Sequence, residues 1–307
     1  MSDLSSLLKA ALNPKGSSEI VAGAGSFVVG PASDDKLKSF LLFRGSEPSI
    51  GFTRAAESGH AYMAMQTSGN PVALAVLLDR RQDIDGKVGL LLIEQSLEEP
   101  VPVEVEQALL DRLLVAEHDY VRLHAYNVLE DRKDIYLSRG FEQVETLVRY
   151  RCEIQDRYPN AGSYSLRDAR LDDVDRLLQI DEAAFEDLWR NDPSVMRTWA
   201  YKRAGFRVRV LEHEGNIVGF AAYRFVERKK HGHYVRTAIE PSNQGLGFGR
   251  ALLADAISWF SDNGVKTVEL TTQKGNRISR GLYETYGFKP LQGLAVFVWE
   301  KQQVIRR

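Results

Sequence analysis

The chain has 307 residues, 44% of them hydrophobic and 27% charged, with a formal net charge of −2 at pH 7. That length suits one large domain or two ordinary ones with a buried core, and the near balance of charge argues against non-specific nucleic-acid binding. A single cysteine, Cys152, excludes an internal disulfide framework and a cysteine metal cluster, and no metal site is expected. No signal-peptide pattern opens the chain and no apolar run approaches membrane-spanning length, so a cytoplasmic protein with no membrane partner is expected.

In chain order, the first readable element is "AYMAMQTSGNPVALAVLLDR", a strand pair turning near Asn70. The connection "EQSLEEPVPVE" follows a further strand and is acidic at Glu94, Glu98 and Glu99. The segment "VEVEQALLDRLLVAEHDYVRLHAY" reads as helix then strand, and "IYLSRGF" ends at a glycine, Gly140, before an aromatic residue. The polar, turn-rich "CEIQDRYPNAGS" at 152–163 marks a boundary.

Past it, Tyr164 to Leu166 read as a short strand, and Val174, Leu177, Leu178 and Ile180 form the apolar stripe of a helix. Phe206 to Leu211 and Ile217 to Val226 form a hairpin about a polar turn at Glu214 to Asn216. His231 to Ile239 is a strand, and "GRALLADAISWF" is a helix that can bury Leu252, Leu253, Ile257 and Phe260. "VKTVELTT" is a strand, "RISRGLYETYGF" a short helix ending near Gly287, and "LAVFVWEK" a closing strand.

The two halves repeat an order. Asn70 matches Asn216 at an offset of 146, and Gly140 matches Gly287 at an offset of 147. Nearly equal offsets in the same order point to a duplicated domain. The repeat fails at "NQGLGFGRALL", because Gly245, Gly247 and Gly249 have no counterparts in the acidic connection of the first half.

Glycines before a helix bring bare N–H groups close to a ligand, and the helix dipole favours an anion there. The stretch suits a phosphate or pyrophosphate, and equally a plain glycine turn before a surface helix. The spacing G-x-G-x-G is neither the dinucleotide fingerprint, whose acid would follow the next strand, nor the G-K-[ST] nucleotide loop.

Gln244, Gly247 and Gly249, preceded by "AIEP", match the pattern [QR]-x-x-G-x-[GA]. "NRISRGLYETYGF" matches N-x-x-A-x-x-L-Y-x-x-x-G-F at Asn276, Leu282, Tyr283, Gly287 and Phe288, with Ser279 replacing the common alanine. Through both motifs, residues from about 163 to 300 resemble the GCN5-related N-acetyltransferase (GNAT) superfamily. The resemblance implies an α/β protein of two tandem acyl-CoA N-acyltransferase-like domains, each a central mixed sheet flanked by helices. Residues 1–155 would be a degenerate copy, structural or completing the acceptor site, and 156–307 the catalytic one.

The same resemblance implies direct acetyl transfer from acetyl-CoA to a primary amine of a small molecule, an amino sugar or an amino acid. A homodimer is compatible with it. The competing account is a CoA-binding regulatory or scaffold protein without turnover. The loop Gln244, Gly245, Leu246, Gly247, Phe248 and Gly249 would cradle the pyrophosphate, with Arg250, Lys274 and Arg277 as phosphate candidates. The backbone N–H of Ala238 or Ile239 would donate to the thioester oxygen. Asn276 and Ser279 lie in the second cofactor motif, Asn276 orienting the cofactor arm or tying down backbone.

Tyr283 would protonate the leaving thiolate, or else only pack its ring. Tyr136, its counterpart in the first half, has no recognisable cofactor loop beside it and reads as structural. His233 lies five residues before Ala238, where some histone-acetylating relatives carry a catalytic glutamate, and shares a strand face with His231. It is the candidate base, or else a lightly buried histidine, with Glu240 the alternative. Asp181, Glu182 and Glu186 could attract a cationic amine, and Phe185, Trp189 and Trp199 could form a flat wall or simply bury their helices.

Overall fold

The computed structural model describes residues 18–22, 25–43, 50–83, 86–95, 99–154, 164–201, 205–226 and 231–302. The first half runs β1 (Ser18–Ala22), β2 (Gly25–Pro31), α1 (Asp34–Phe43), α2 (Ile50–Glu57), β3 (Ala61–Gln66), β4 (Pro71–Asp83), β5 (Gly86–Gln95), α3 (Val103–Leu114), β6 (Arg122–Asn127), α4 (Lys133–Leu137) and β7 (Glu142–Glu153). The second runs β8 (Ser165–Asp168), α5 (Val174–Ala184), α6 (Pro193–Ala200), β9 (Phe206–His213), β10 (Asn216–Val226), β11 (His231–Ile239), α7 (Phe248–Asp262), β12 (Thr267–Gln273), α8 (Arg277–Thr285), β13 (Lys289–Pro290) and β14 (Val296–Gln302). Among the described residues, no helix is long and apolar enough to cross a membrane.

The chain forms two compact units. One takes residues 1–146 and 296–307, the other 147–295. The boundary expected between 155 and 156 divides by chain order, whereas compactness assigns residues 147–153 and 296–302 each to the unit built mainly from the other half. Residues 155–163 of the expected linker lie outside the described residues.

In the 1–146 unit, β1 to β5 pair antiparallel in sequence, β5 and β6 pair parallel, and β14 closes antiparallel on β6. Helices α1 and α2 bury Leu37, Phe40, Leu41 and Ala55 against Met63, Leu74 and Val76. Helix α3 buries Val105, Leu109, Leu110 and Leu113, the spacing of an apolar helical stripe.

The 147–295 unit has a mixed sheet in the order β8-β9-β10-β11-β12-β7, with only β11 and β12 parallel, and β13 paired to β7. The β9–β10 turn holds Glu214 at φ 51° and Gly215 at φ 78°. Two consecutive left-handed residues make the tight turn whose twist matches a hairpin. Helix α7 covers one sheet face, burying Leu252, Leu253, Ile257 and Phe260 against Tyr223, Tyr234, Val268 and Leu270. Helices α5 and α6 cover the other, where Val174, Leu177, Ile180, Met196 and Trp199 meet Val208, Val210, Phe220, Ala222 and Ala238. Truncating a core leucine such as Leu253 to alanine costs about 2–5 kcal/mol in sites of this kind.

Candidate active site

The site begins where two parallel strands part. β11 and β12 pair only from His231 with Thr267 to Tyr234 with Leu270. Beyond that step β11 runs on to Ile239 and β12 to Gln273 without pairing to each other. A bulge sits at the fork: β10 pairs Tyr223 with Tyr234 but Ala222 with Arg236, leaving Val235 extra. The extra residue switches faces. Tyr234 packs on the α7 side and Ala238 on the α5–α6 side, although strict alternation would keep residues four apart on one face.

At the end of β11 the fork exposes a backbone donor. The Glu240 N–H donates to the Val218 carbonyl at 2.9 Å, toward β10. Alternation therefore turns the Ile239 N–H the other way, into the fork, where the Ile239 carbonyl accepts from Gln244 Nε2 at 3.1 Å. Of the two candidate oxyanion donors, Ile239 presents its amide to the fork, while the amide of the buried Ala238 faces β10.

Past Gln244 the chain turns through Gly245 at φ 82° and Gly247 at φ 83°, and α7 starts at Phe248. Gly247 caps the helix in the left-handed region, so no side chain occupies the cap. The first helical bond is Ala251 N–H to Gly247 O at 3.1 Å, and among the described residues no backbone carbonyl accepts from the amides of 245–250. Alternating left-handed glycines ahead of these amides give the concave N–H surface that anions occupy. A β-carbon on Gly247 would lie 3.0 Å from the Tyr164 hydroxyl, whereas Gly245 faces open space. Phe248 is buried, edge-on to Tyr164 at 5.7 Å, so only its backbone can serve a ligand. Leu246 and Arg250 are exposed, and Gly249 leaves room beside Leu282.

The second motif lies on α8. The Asn276 side chain accepts from the Ser279 N–H at 3.0 Å and caps the helix, so its observed bond is to backbone. Tyr283 is half-buried among the rings of Tyr150, Tyr234 and Phe288, on the α7 side of the sheet. Burial pushes its pKa up to about 12, against a smaller opposite effect from Ser279. It keeps its proton at any ordinary pH and can act as a donor.

On the opposite face, His231 and His233 lie edge to face with centroids 4.6 Å apart. Burial, and next Arg224 and His231, push His233 down to about 4, so its imidazole is neutral. Glu240 is engaged elsewhere, its carboxylate 2.9 Å from Arg176 and accepting from Asn243.

Of the three acids expected to attract a cationic amine, Asp181 is not at the surface. Asp181 has a side chain only 1% exposed, and it accepts from Asn191 and from Arg236 at 2.8 Å. A carboxylate buried against a guanidinium orders the loop after α5 and offers no free charge. Arg236 also lies over the Phe185 ring at 3.4 Å and donates to the Trp189 carbonyl. Trp199 is a core residue stacked on Phe206, while Glu182 and Glu186 are exposed.

A group the sequence reading passed over lies on the His233 face. Glu269, read only as an acid inside its strand, accepts from Arg151 Nε at 2.8 Å and from Arg149 Nη2 at 3.1 Å. Period-two spacing in "VRYRC" was the available signal, but which strand faced it was not.

In the 1–146 unit side chains join the end of β5 to the start of α3. Gln95 accepts from the Val101 N–H and donates to Glu106, both at 3.0 Å. Glu106, buried in the first turn of α3, sits 3.3 Å from Arg132 Nε and accepts from Tyr136 at 3.5 Å. Tyr136 is buried and stacked on Trp299 at 5.2 Å. Glu98, one of the acids of this connection, lies outside the described residues.

A model of the Acetyltransferase (GNAT) family matches residues 174–288. The N-alpha-acetyltransferase of Sulfurisphaera tokodaii is 30% identical over 142 residues, 43% of this chain and 83% of that protein. The chain belongs to the GNAT acetyltransferase family. Among solved structures, a GCN5-related N-acetyltransferase from Sphaerobacter thermophilus has a TM-score of 0.60 at 15% identity, covering 90% of this chain and 95% of that one. A tandem GNAT protein from the clavulanic acid biosynthesis pathway has a TM-score of 0.58 at 15% identity, covering 90% and 98%. At such identities these two show a shared fold: mixed sheets flanked by helices, of the GNAT kind.

Proposed function

We propose that the 147–295 unit transfers an acetyl group directly from acetyl-CoA to a primary amine of a small molecule. The observation that carries this is the meeting of the open 245–250 amides, the fork-facing Ile239 N–H and the high-pKa Tyr283 in one unit. The cosubstrate supplies the acyl group as an activated thioester. The amides of 245–250, with Arg250 beside them, would hold its pyrophosphate, and the free edge of β11 would pair its amide-bearing arm.

The Ile239 N–H would donate to the carbonyl oxygen as negative charge builds there. As the nitrogen–carbon bond forms and the carbon–sulfur bond breaks, Tyr283 Oη would give its proton to the sulfur. His233, neutral and on the acceptor side of the bulge, would take the proton that the amine loses, and Tyr283 would be reprotonated from solvent. Asn276 and Ser279 would act through the shape of α8. Glu240, tied to Arg176, would have a supporting part.

The 1–146 unit is read as a degenerate GNAT-like copy, its anion site filled by its own Glu106. The likeness to a tandem GNAT protein supports that reading. Calorimetry with CoA, followed by CoA-thiol release over a panel of amines, tests the proposal: binding at one site and turnover of at least one amine are expected. Binding without any turnover would leave a CoA-binding scaffold instead.

A further inference from the structure

The paired registers align one transverse row of side chains across five strands. Arg224 on β10 stands opposite His233, His233 opposite Glu269, Glu269 opposite Arg151, and Arg151 opposite Lys289 on β13. Residues opposite one another in a sheet share a face. His231 and Arg149 flank this row on the same face, His231 bonding Thr267 at 2.7 Å and Arg149 bonding Glu269.

The row is charged and open. Arg151 is 49% exposed and Arg149 28%, while the Glu269 they share is 8% exposed. Glu153, opposite Thr267, is the carboxylate next to Arg151 on this face of β7. Against these two acids stand Arg149, Arg151, Arg224 and Lys289. The balance is cationic, and it lies at the last paired steps before the fork, beside the candidate base.

Two chemistries compete for such a place. His231, His233 and Glu269 bring ligand atoms within 4.8 Å of one another, a spacing that could hold a metal ion. A cation there would have to displace two guanidiniums from Glu269 and sit among further positive charges. An anion faces the opposite balance. Guanidiniums recognise carboxylates through paired, charge-assisted hydrogen bonds, and Glu269 already holds two of them in place.

We propose that this row is the acceptor's second anchor: it binds an anionic group, a carboxylate, on the amine substrate and leaves the amine at the fork. The inference rests on the acetyl-transfer reading and narrows its substrate to amines that carry a carboxylate. An anion seated here also offsets the cations Arg224 and Arg149 that face His233, which makes His233 a better proton acceptor when the acceptor is bound.

The test uses the full chain, acetyl-CoA and matched pairs: 4-aminobutyrate with butylamine, and 6-aminohexanoate with hexylamine, with glucosamine as an amino sugar that lacks a carboxylate. The expected result is a preference of at least about tenfold in kcat/KM for the carboxylate of a pair. Arg151→Gln should raise KM for the carboxylate by about tenfold and leave the alkylamine within about twofold, so that the preference collapses. Equal use of both members, or equal loss of both in Arg151→Gln, would overturn the inference while leaving acetyl transfer intact.

A second arm needs no turnover. Succinate should shift the ring NMR signals of His231 and His233 in the unaltered chain and not in Arg149→Gln/Arg151→Gln. This arm decides the inference even if no amine is acetylated. Unmoved signals would overturn it, as would stoichiometric zinc binding that moves these rings while succinate does not.

Discussion

The strand-to-helix connections of the two units solve the same electrostatic problem in opposite ways. Between β11 and α7 the chain removes side chains, placing Gly245 and Gly247 in the left-handed region ahead of amides that, among the described residues, bond no backbone carbonyl. Between β5 and α3 it adds them, and a buried carboxylate, Glu106, occupies the first helical turn with Gln95 and Arg132 around it. A helix start favours negative charge. On the proposed reading, one unit leaves that place to a ligand and the other fills it with a carboxyl group of its own.

The parallel ladders extend the contrast. Each has a glycine at its second step, Gly89 and Gly232, but the third step pairs Leu90 with His124 in one unit and His233 with Glu269 in the other. In the 1–146 unit the histidine sits on the later strand of the parallel pair and bonds Glu300, so similarity of strand order does not carry the His233–Glu269 pairing across.

The largest expected effect falls on Tyr283. Tyr283→Phe should lower kcat by roughly 10²- to 10³-fold with CoA affinity unchanged; equal loss of both, measured by steady-state kinetics and calorimetry, would reduce the residue to packing. Next is the filled connection. Glu106→Leu strands Arg132 in the core and should cost about 3 kcal/mol by urea unfolding, while CoA affinity stays within twofold or so. Gly247→Val must hold a β-branched residue near φ 83° with its β-carbon 3.0 Å from Tyr164 Oη, and CoA affinity should fall roughly 10- to 100-fold. A comparable loss on replacing Gly140, in the other unit, would break the comparison.

Each unit also buries one histidine whose pKa is pushed down to about 4, His124 and His233, chiefly by burial. Both lie below the unfolded value of about 6.5, so their contribution is complete above that pH and is lost as pH falls through about 4. Thermal unfolding should show this decline, and His124→Gln should flatten part of it. The smallest signal is a count: calorimetry should give one CoA per chain, and two would contradict the filled site.

Much of the candidate site was legible because local rules govern it. Glycines at a helix start, a tyrosine in "LYETYGF" and a helix stripe of Leu252, Leu253, Ile257 and Phe260 need only their neighbours in sequence to be read. Strand His231–Ile239 was legible in its bounds, but the bulge at Val235 was not, because a bulge is defined by the partner strand. Asp181 read as a free acid for want of Arg236, 55 residues away. Trp199 read as wall or core until Phe206 stacked on it.

Sequence by itself determined the types of the elements from β3 onward that it made readable and the place of the glycine loop, since turn chemistry and hydrophobic period act over a few residues. Tertiary structure alone decided that 147–153 and 296–302 change units, that the Ile239 amide faces the fork, and that Arg224, His233, Glu269 and Arg151 stand in one row. Those facts depend on which strand lies beside which and at what register. Register is fixed only when whole faces are buried together, and the energy that fixes it is shared among residues far apart in the chain.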